Sequence, residues 1–84
     1  MATDRPALTV YSRKECHLCD EMIGALRRLQ GPYHFDLAVV DVDGNRELER
    51  RHGAKVPVVM HGEREFCRYR LDTPGITAYL SNFR

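Results

Sequence analysis

The sequence lacks the features that mark secreted, membrane-spanning or nucleic-acid-binding proteins. It has three cysteines among 84 residues, an odd number and too few for a secreted disulfide scaffold. Its 13 basic and 12 acidic side chains leave no excess of charge that would attract nucleic acid. It has no long hydrophobic run, and residues 1–6 lack the apolar stretch that a signal peptide needs. We therefore expect neither a signal peptide nor a membrane span, and we expect a cytoplasmic location.

The remaining composition is that of one small globular domain. Hydrophobic residues make up 43% of the chain, which is enough for a modest core, and the near-balanced charges argue against disorder. No linker, repeat or low-complexity tract interrupts the chain. We therefore predict a single domain over residues 1–84, with a flexible N-terminal segment at residues 1–7, and we expect a monomer.

Two of the cysteines stand in the Cys-His-Leu-Cys motif of residues 16–19, between a predicted strand and a predicted helix. The β-branched and aromatic residues of positions 8–11 indicate the strand. Apolar residues at intervals of three and four indicate the helix, which Gly31-Pro32 ends. Those apolar residues are Leu18, Met22, Ile23, Leu26 and Leu29. Cys16 therefore falls at the helix N-terminus, where backbone N–H groups and the helix dipole favour a thiolate, and Cys19 lies about one turn further in.

The rest of the chain alternates further strands and helices. Residues 33–42 are predicted to form a strand at a sheet edge, and residues 46–52 a short helix that begins after a capping asparagine. Strands at 56–60 and 65–69 form a hairpin, and the last helix begins at residues 72–73. Its inward residues are expected to be Ile76, Tyr79, Leu80 and Phe83. The order β-α-β-α-β-β-α predicts an α/β fold with a mixed four-stranded sheet and helices on both faces.

This order, with a C-x-x-C motif at the start of the first helix, resembles the minimal thioredoxin fold and, more closely, the glutaredoxins. Residues 11–19 are similar to the glutaredoxin segment that leads from the first strand into the active site. Residues 55–59, Lys-Val-Pro-Val-Val, are similar to its proline loop. The resemblance spans almost the whole chain. It implies that a cis peptide bond precedes Pro57, that Pro57 faces the cysteines, and that Val56 offers its backbone N–H and C=O to a bound peptide or glutathione.

The resemblance also implies a thiol–disulfide oxidoreductase in which Cys16 attacks a substrate disulfide and Cys19 resolves the mixed disulfide. Arg13 and Lys14, shortly before Cys16, are candidates to lower its pKa. His17 has two interpretations: an imidazole that stabilises the Cys16 thiolate, or an exposed first-turn residue without a fixed partner. The expected partners are a disulfide-containing protein or a glutathione mixed disulfide, together with a reductant, either glutathione or thioredoxin reductase.

Glutathione is a candidate cosubstrate, and no tightly bound cofactor or metal is expected. Many glutaredoxins carry a glycine pair before the last helix, whereas residues 67–73 of this chain contain no glycine. Asp72 and Thr73 could hold charged groups of glutathione through the N–H groups of the helix start, and Arg70 could bind a carboxylate. Arg13 stands where many glutaredoxins have a lysine. The candidate binding residues are Arg13, Val56, Pro57, Arg70, Asp72 and Thr73.

Alternatives remain open for the cysteines. Cys67 is expected to be a buried small apolar side chain, with a second redox or glutathionylation role as the alternative. The C-x-x-C pair could belong to a non-catalytic thioredoxin-fold module that binds a partner protein or a metal. Zinc bound by Cys16, Cys19, Cys67 and a histidine would need four converging ligands, and the sequence has no second C-x-x-C motif. An iron–sulfur cluster that bridges two subunits through Cys16 and glutathione is a rarer use in glutaredoxins.

Overall fold

Strands and helices alternate in the computed structural model, which describes residues 5–82. Their order is β-α-β-α-β-β-α, as predicted. The strands are β1 Ala7–Ser12, β2 Asp36–Asp41, β3 Val58–His61 and β4 Arg64–Arg68, and the helices are α1 His17–Leu29, α2 Arg46–His52 and α3 Thr73–Leu80. No helix within this described range is long and apolar enough to cross a membrane.

The four strands form one mixed sheet in the order β2-β1-β3-β4. β1 and β2 run parallel, with Val10 opposite Val39, because α1 provides the crossover connection between them. β3 pairs antiparallel with β1. β4 pairs antiparallel with β3 through a tight turn in which Gly62 has a φ of 62°. β2 therefore lies at an edge of the sheet, which agrees with the prediction.

Helices cover both faces of the sheet, as predicted. The core on one face contains Leu8, Val10, Met22, Leu26, Phe35, Val59, Ile76 and Leu80, which brings α1 and α3 to that face. Because successive strand residues point to opposite faces, Tyr11 points to the other face. There its ring stacks on His52 of α2, with 4.3 Å between the ring centroids. Every side chain of α2 is at least partly exposed, so this helix adds little to the core.

All four strands differ in their bounds from the sequence prediction, and β1 is one residue longer at each end. β2 begins three residues later, at Asp36, because the N–H of Tyr33 bonds instead to the carbonyl of Leu29 at the end of α1, at 2.9 Å. β3 begins two residues later, at Val58, since Pro57 has no N–H for the ladder. β4 is shifted by one residue toward the turn. The helices begin at the predicted caps.

Residues 5–7, which belong to the N-terminal segment predicted to be flexible, make regular contacts with β2. Ala7 belongs to β1, and the carbonyl of the buried Pro6 accepts a hydrogen bond from the N–H of Asp36 at 2.9 Å. Arg5 forms an ion pair with the same aspartate, also at 2.9 Å. These contacts extend the β1–β2 pairing toward the N-terminus. Residues 1–4 and Phe83 lie outside the described residues.

Candidate active site

Cys16 and Cys19 form a disulfide at the start of α1, with their Cα atoms 5.2 Å apart. Cys16 is the N-cap residue: its backbone is extended, and its carbonyl accepts the N–H of Asp20 at 3.0 Å. The N–H of Cys19 donates to the Sγ of Cys16 at 3.2 Å. The helix start therefore provides backbone N–H groups that favour negative charge on this sulfur once the disulfide is reduced.

The two cysteines differ in their access to solvent. Cys19 is completely buried, with 0% of its surface exposed, whereas Cys16 is partly exposed. A substrate can therefore reach Cys16 more easily than Cys19. This is the asymmetry that an attacking and a resolving thiol require, and the order of attack itself stays a prediction.

A cis peptide bond joins Val56 and Pro57, as the resemblance to glutaredoxins implies. β3 runs antiparallel to β1 with Val58 opposite Tyr11, so its first residues lie where β1 leads into the C-x-x-C motif. Pro57 is buried, and its carbonyl accepts the N–H of Tyr69 at 2.8 Å. The proline loop and the disulfide therefore share one end of the sheet.

The two basic residues before the motif have different surroundings. Arg13 donates from Nε to Oδ1 of Asp43 at 3.0 Å and from Nη2 to Oε2 of Glu49 at 3.3 Å. These ion pairs join the loop between β1 and α1, which contains Arg13, to α2 and to the turn before α2. The two carboxylates offset the positive charge of the guanidinium, so its expected electrostatic effect on the Cys16 sulfur and on a substrate is weaker. Lys14 is exposed.

His17 has a partner that neither interpretation of the sequence included. Its Nε2 lies 2.9 Å from Oε2 of Glu21, one helical turn along α1, and 85% of its side chain is exposed. Exposed pairs with this i,i+4 spacing contribute only about 0.3–0.5 kcal/mol, so the contact orients the ring more than it stabilises the helix. A role for His17 at the Cys16 sulfur stays a prediction.

The carboxylate of Asp72 caps the start of α3. Asp72 is the N-cap residue, and its Oδ1 accepts the N–H of Gly75 at 3.2 Å. Thr73 is the first helical residue, and its carbonyl accepts the hydroxyl of Thr77 at 2.8 Å. Arg70 is exposed in the loop between β4 and α3. The three residues considered for glutathione thus share this loop and helix start, with the Asp72 carboxylate already capping the helix.

Residues 7–81 match the family described as glutaredoxin-like domain (DUF836). The chain belongs to this glutaredoxin-like family. An uncharacterized protein of Mycobacterium tuberculosis (strain ATCC 25618 / H37Rv), Rv0508, is 30% identical over 73 residues, which are 81% of this chain and 75% of that protein. The family match includes both cysteines of the motif and the proline loop.

Solved structures share the fold of the glutaredoxin-like domain. The solution structure of protein Ne2328 from Nitrosomonas europaea is 43% identical, with a TM-score of 0.81 over 94% of this chain and 95% of that chain. The glutaredoxin-like NrdH-redoxin of Escherichia coli is 25% identical, with a TM-score of 0.53 over 80% of this chain and 88% of that chain. The glutaredoxin-like domain therefore has a thioredoxin fold.

The third cysteine of the glutaredoxin-like domain, Cys67, lies in β4 opposite Val59 and packs against the core. Its thiol is free and partly buried. Burial raises the pKa of this thiol, and a hydrogen bond from the backbone of Asp72 acts in the opposite direction. The side chain packs against the core as a small apolar group would, but it is only partly buried, whereas full burial was expected. Across residues 5–82, no group of three or more His, Cys, Asp or Glu side chains is placed to hold a metal ion.

A groove of about 540 Å³ runs between α1 and the loop that joins β4 to α3. Its lining includes Leu18, Glu21, Arg28, Tyr69, Arg70 and Leu71. Leu18 belongs to the C-x-x-C motif, and neither Cys16 nor Cys19 lines the groove. Sequence analysis identified Arg70 and missed Tyr69. Tyr69 has a φ of 69°, and a tyrosine in the sequence gives no signal for that conformation.

Sequence analysis also missed the stack of Tyr11 on His52. Nδ1 of His52 is buried and has no hydrogen-bond partner among the described residues. Burial lowers the pKa of His52, and the cations Arg51 and Lys55 lower it further, so the ring is neutral near pH 7. The carbonyl of His52 accepts the N–H of Lys55 at 2.8 Å. The stack therefore anchors the start of the proline loop to β1.

Proposed function

We propose that this glutaredoxin-like domain is a dithiol–disulfide oxidoreductase that acts through Cys16 and Cys19. The observation that supports this most directly is the difference between the two bonded cysteines. Cys16 is partly exposed at the N-cap of α1, and Cys19 is fully buried one turn further along. Sγ of Cys16 is therefore accessible to a substrate, and Sγ of Cys19 lies close enough to form a bond with it.

The reaction begins when the Cys16 thiolate attacks one sulfur atom of a substrate disulfide. A mixed disulfide forms, and the other substrate sulfur leaves as a thiolate that takes a proton from water. The Cys19 thiolate then attacks Sγ of Cys16, releases the second substrate thiolate and forms the Cys16–Cys19 disulfide. The substrate gains two electrons and two protons, which the two thiols lose. A thiol reductant, either two glutathione molecules or a thioredoxin reductase, returns them.

Two features of α1 would stabilise the attacking thiolate. The N–H of Cys19 lies 3.2 Å from Sγ of Cys16, and hydrogen bonds to charged groups contribute about 1.5–3 kcal/mol. The helix N-terminus adds about 0.3–1 kcal/mol for a nearby negative charge. Asp20 in the first turn opposes both effects. Since the favourable contributions are larger for a thiolate than for a thiol, attack by Cys16 near neutral pH is expected.

The proline loop would position the substrate. Val56 lies just before β3, at the sheet end that also carries the disulfide, where its N–H and C=O could pair with an extended peptide. The candidate substrates are a disulfide-containing protein or a glutathione mixed disulfide. A thioredoxin-like activity profile is described for the glutaredoxin-like NrdH-redoxin of Escherichia coli, which supports a protein substrate here. A reducing compartment such as the cytoplasm would keep the pair cycling.

Alkylation by iodoacetamide tests this proposal. In the reduced protein we expect one thiol to react faster near pH 7 than a free peptide thiol does, because thiolates are the reactive form. The fast reaction should disappear in Cys16→Ser and remain in Cys19→Ser, and Cys67→Ser is the matched control that keeps both thiols of the motif. If Cys16 reacts no faster than a peptide thiol between about pH 5 and pH 9, the proposal is wrong.

Turnover of a small disulfide identifies the reductant. The wild-type protein is supplied with NADPH and either glutathione with its reductase or thioredoxin reductase. We expect NADPH consumption to continue with one of these systems and to stop in Cys16→Ser. Turnover that persists in Cys16→Ser would contradict the assignment of the attacking thiol.

A further inference from the structure

Tyr69 holds a backbone conformation that bulky residues rarely adopt. Its φ is 69°, in the left-handed region that glycine enters freely and other residues enter at a cost. Such conformations persist only where the surroundings fix them, and they are frequent at ligand-binding sites. For Tyr69, the backbone N–H is fixed by the carbonyl of Pro57 at 2.8 Å. The strained residue is therefore attached directly to the proline loop.

The side chain of Tyr69 lies along the surface beside that loop. Its hydroxyl donates to the carbonyl of Ala54, shortly before Pro57, at 3.3 Å. The residue stays 45% exposed and lines the same groove as Leu18 of the C-x-x-C motif. The ring therefore lies between the backbone at Ala54, just before the proline loop, and a groove that reaches the C-x-x-C motif at Leu18.

We propose that Tyr69 is a specificity-determining residue that favours protein disulfides over glutathione. This inference rests on the proposed oxidoreductase function and names its substrate class. The favoured substrate is a peptide segment in which an aromatic or large apolar residue neighbours the half-cystine, so that this residue packs on the exposed ring. A contact between two aromatic rings changes affinity roughly two- to tenfold.

Glutathione matches the same surface poorly. It has no large apolar side chain to pack on Tyr69, and its γ-glutamyl end carries a carboxylate and an ammonium group. The helix start that could bind the carboxylate already holds the Asp72 side chain, which accepts the N–H of Gly75 at 3.2 Å. The Asp72 carboxylate would repel the carboxylate of the γ-glutamyl end and attract its ammonium group, so the two effects largely offset each other and give glutathione little net binding there. Arg70 is exposed, so an ion pair with it would contribute little.

A single-turnover experiment with the full-length, fully reduced protein tests this inference. One probe is oxidised glutathione, and the other is the disulfide dimer of the capped dipeptide acetyl-Phe-Cys-amide. The loss of protein thiols is followed after rapid mixing. The ratio of the two second-order rate constants is then taken for each variant, so that changes in the reactivity of Cys16 itself cancel. Tyr69→Gly and Tyr69→Asn remove the ring with residues that tolerate the left-handed backbone, and Tyr69→Phe keeps the ring.

We expect the peptide-to-glutathione ratio to fall at least about twofold in Tyr69→Gly and Tyr69→Asn, and to be retained in Tyr69→Phe. If one ring-deleted variant fails to fold, the other decides. A smaller fall, or an equal fall in Tyr69→Phe, overturns the inference and leaves the oxidoreductase proposal intact. A wild-type protein that reduces neither probe refutes the oxidoreductase proposal, and the inference with it.

Discussion

Substitution of Gly53 by alanine tests how tightly the end of α2 packs against Arg13 in the loop between β1 and α1. Gly53 is buried directly after α2, and its N–H donates to the carbonyl of Glu49 at 2.8 Å. A Cβ at this position would lie 2.5 Å from that carbonyl oxygen and 3.2 Å from Nη2 of Arg13. The first distance is well inside van der Waals contact with a backbone atom, so the end of α2 must move. We expect the free energy of unfolding to fall by about 1–3 kcal/mol, the range for overpacked sites.

Gly24→Ala adds the same methyl group inside α1 and is the matched control. The nearest atom to a Cβ there would be Nη1 of Arg28 at 3.6 Å, which is ordinary contact. Because alanine loses less backbone entropy in a helix, we expect a gain of about 0.5–1 kcal/mol. Urea denaturation followed by far-UV circular dichroism measures both changes. If Gly53→Ala is as stable as the wild-type protein, the packing argument at the end of α2 is wrong.

Two further predictions concern His52 and Cys67. Burial lowers the pKa of His52, so its contribution to stability is complete above its unfolded pKa of 6.5 and is lost as the pH falls below that value. Urea denaturation at about pH 7.5 and pH 5.5 measures how far the free energy of unfolding falls between the two values. The fall should be smaller in His52→Phe, which keeps an aromatic ring on Tyr11, than in the wild-type protein. Equal falls would contradict this prediction. Burial raises the pKa of Cys67, so in the double variant Cys16→Ser/Cys19→Ser iodoacetamide should alkylate Cys67 more slowly in the folded than in the urea-unfolded protein. Equal rates would refute the argument.

Elements bounded by capping residues could be predicted from the sequence to the residue. α2 spans residues 46–52 as predicted, because Asn45 accepts the N–H of Leu48 at 3.0 Å and a glycine follows the last turn. The start of β2 has no such marker. Phe35 has strand-like character, yet it lies fully buried in the core just before the strand begins. The residue type alone does not determine whether the backbone of a phenylalanine joins a strand or whether only its ring packs in the core.

The cysteines and the proline loop could be predicted because each is a contiguous motif. The ion pairs of Arg13 could not, since Asp43 and Glu49 lie 30 and 36 positions further along the chain. Whether that guanidinium binds these carboxylates or acts on the Cys16 sulfur depends on how α2 packs beside β1. Tyr69 was missed for a different reason: the residue type argues against the backbone conformation that the structure assigns to it.

Two loops at the sheet end that carries the disulfide contain a non-glycine residue in the left-handed region. Glu15, directly before the C-x-x-C motif, has a φ of 56°, and Tyr69 has a φ of 69°. Each such residue costs about 1–3 kcal/mol, a large share of the roughly 5–15 kcal/mol that stabilises an ordinary domain. At Gly44 and Gly62, two turns of the described chain use glycine for a positive φ and avoid this cost. Glycine could adopt the same φ at positions 15 and 69 without this cost, so Glu15 and Tyr69 make the backbone at this end of the sheet less favourable than it could be.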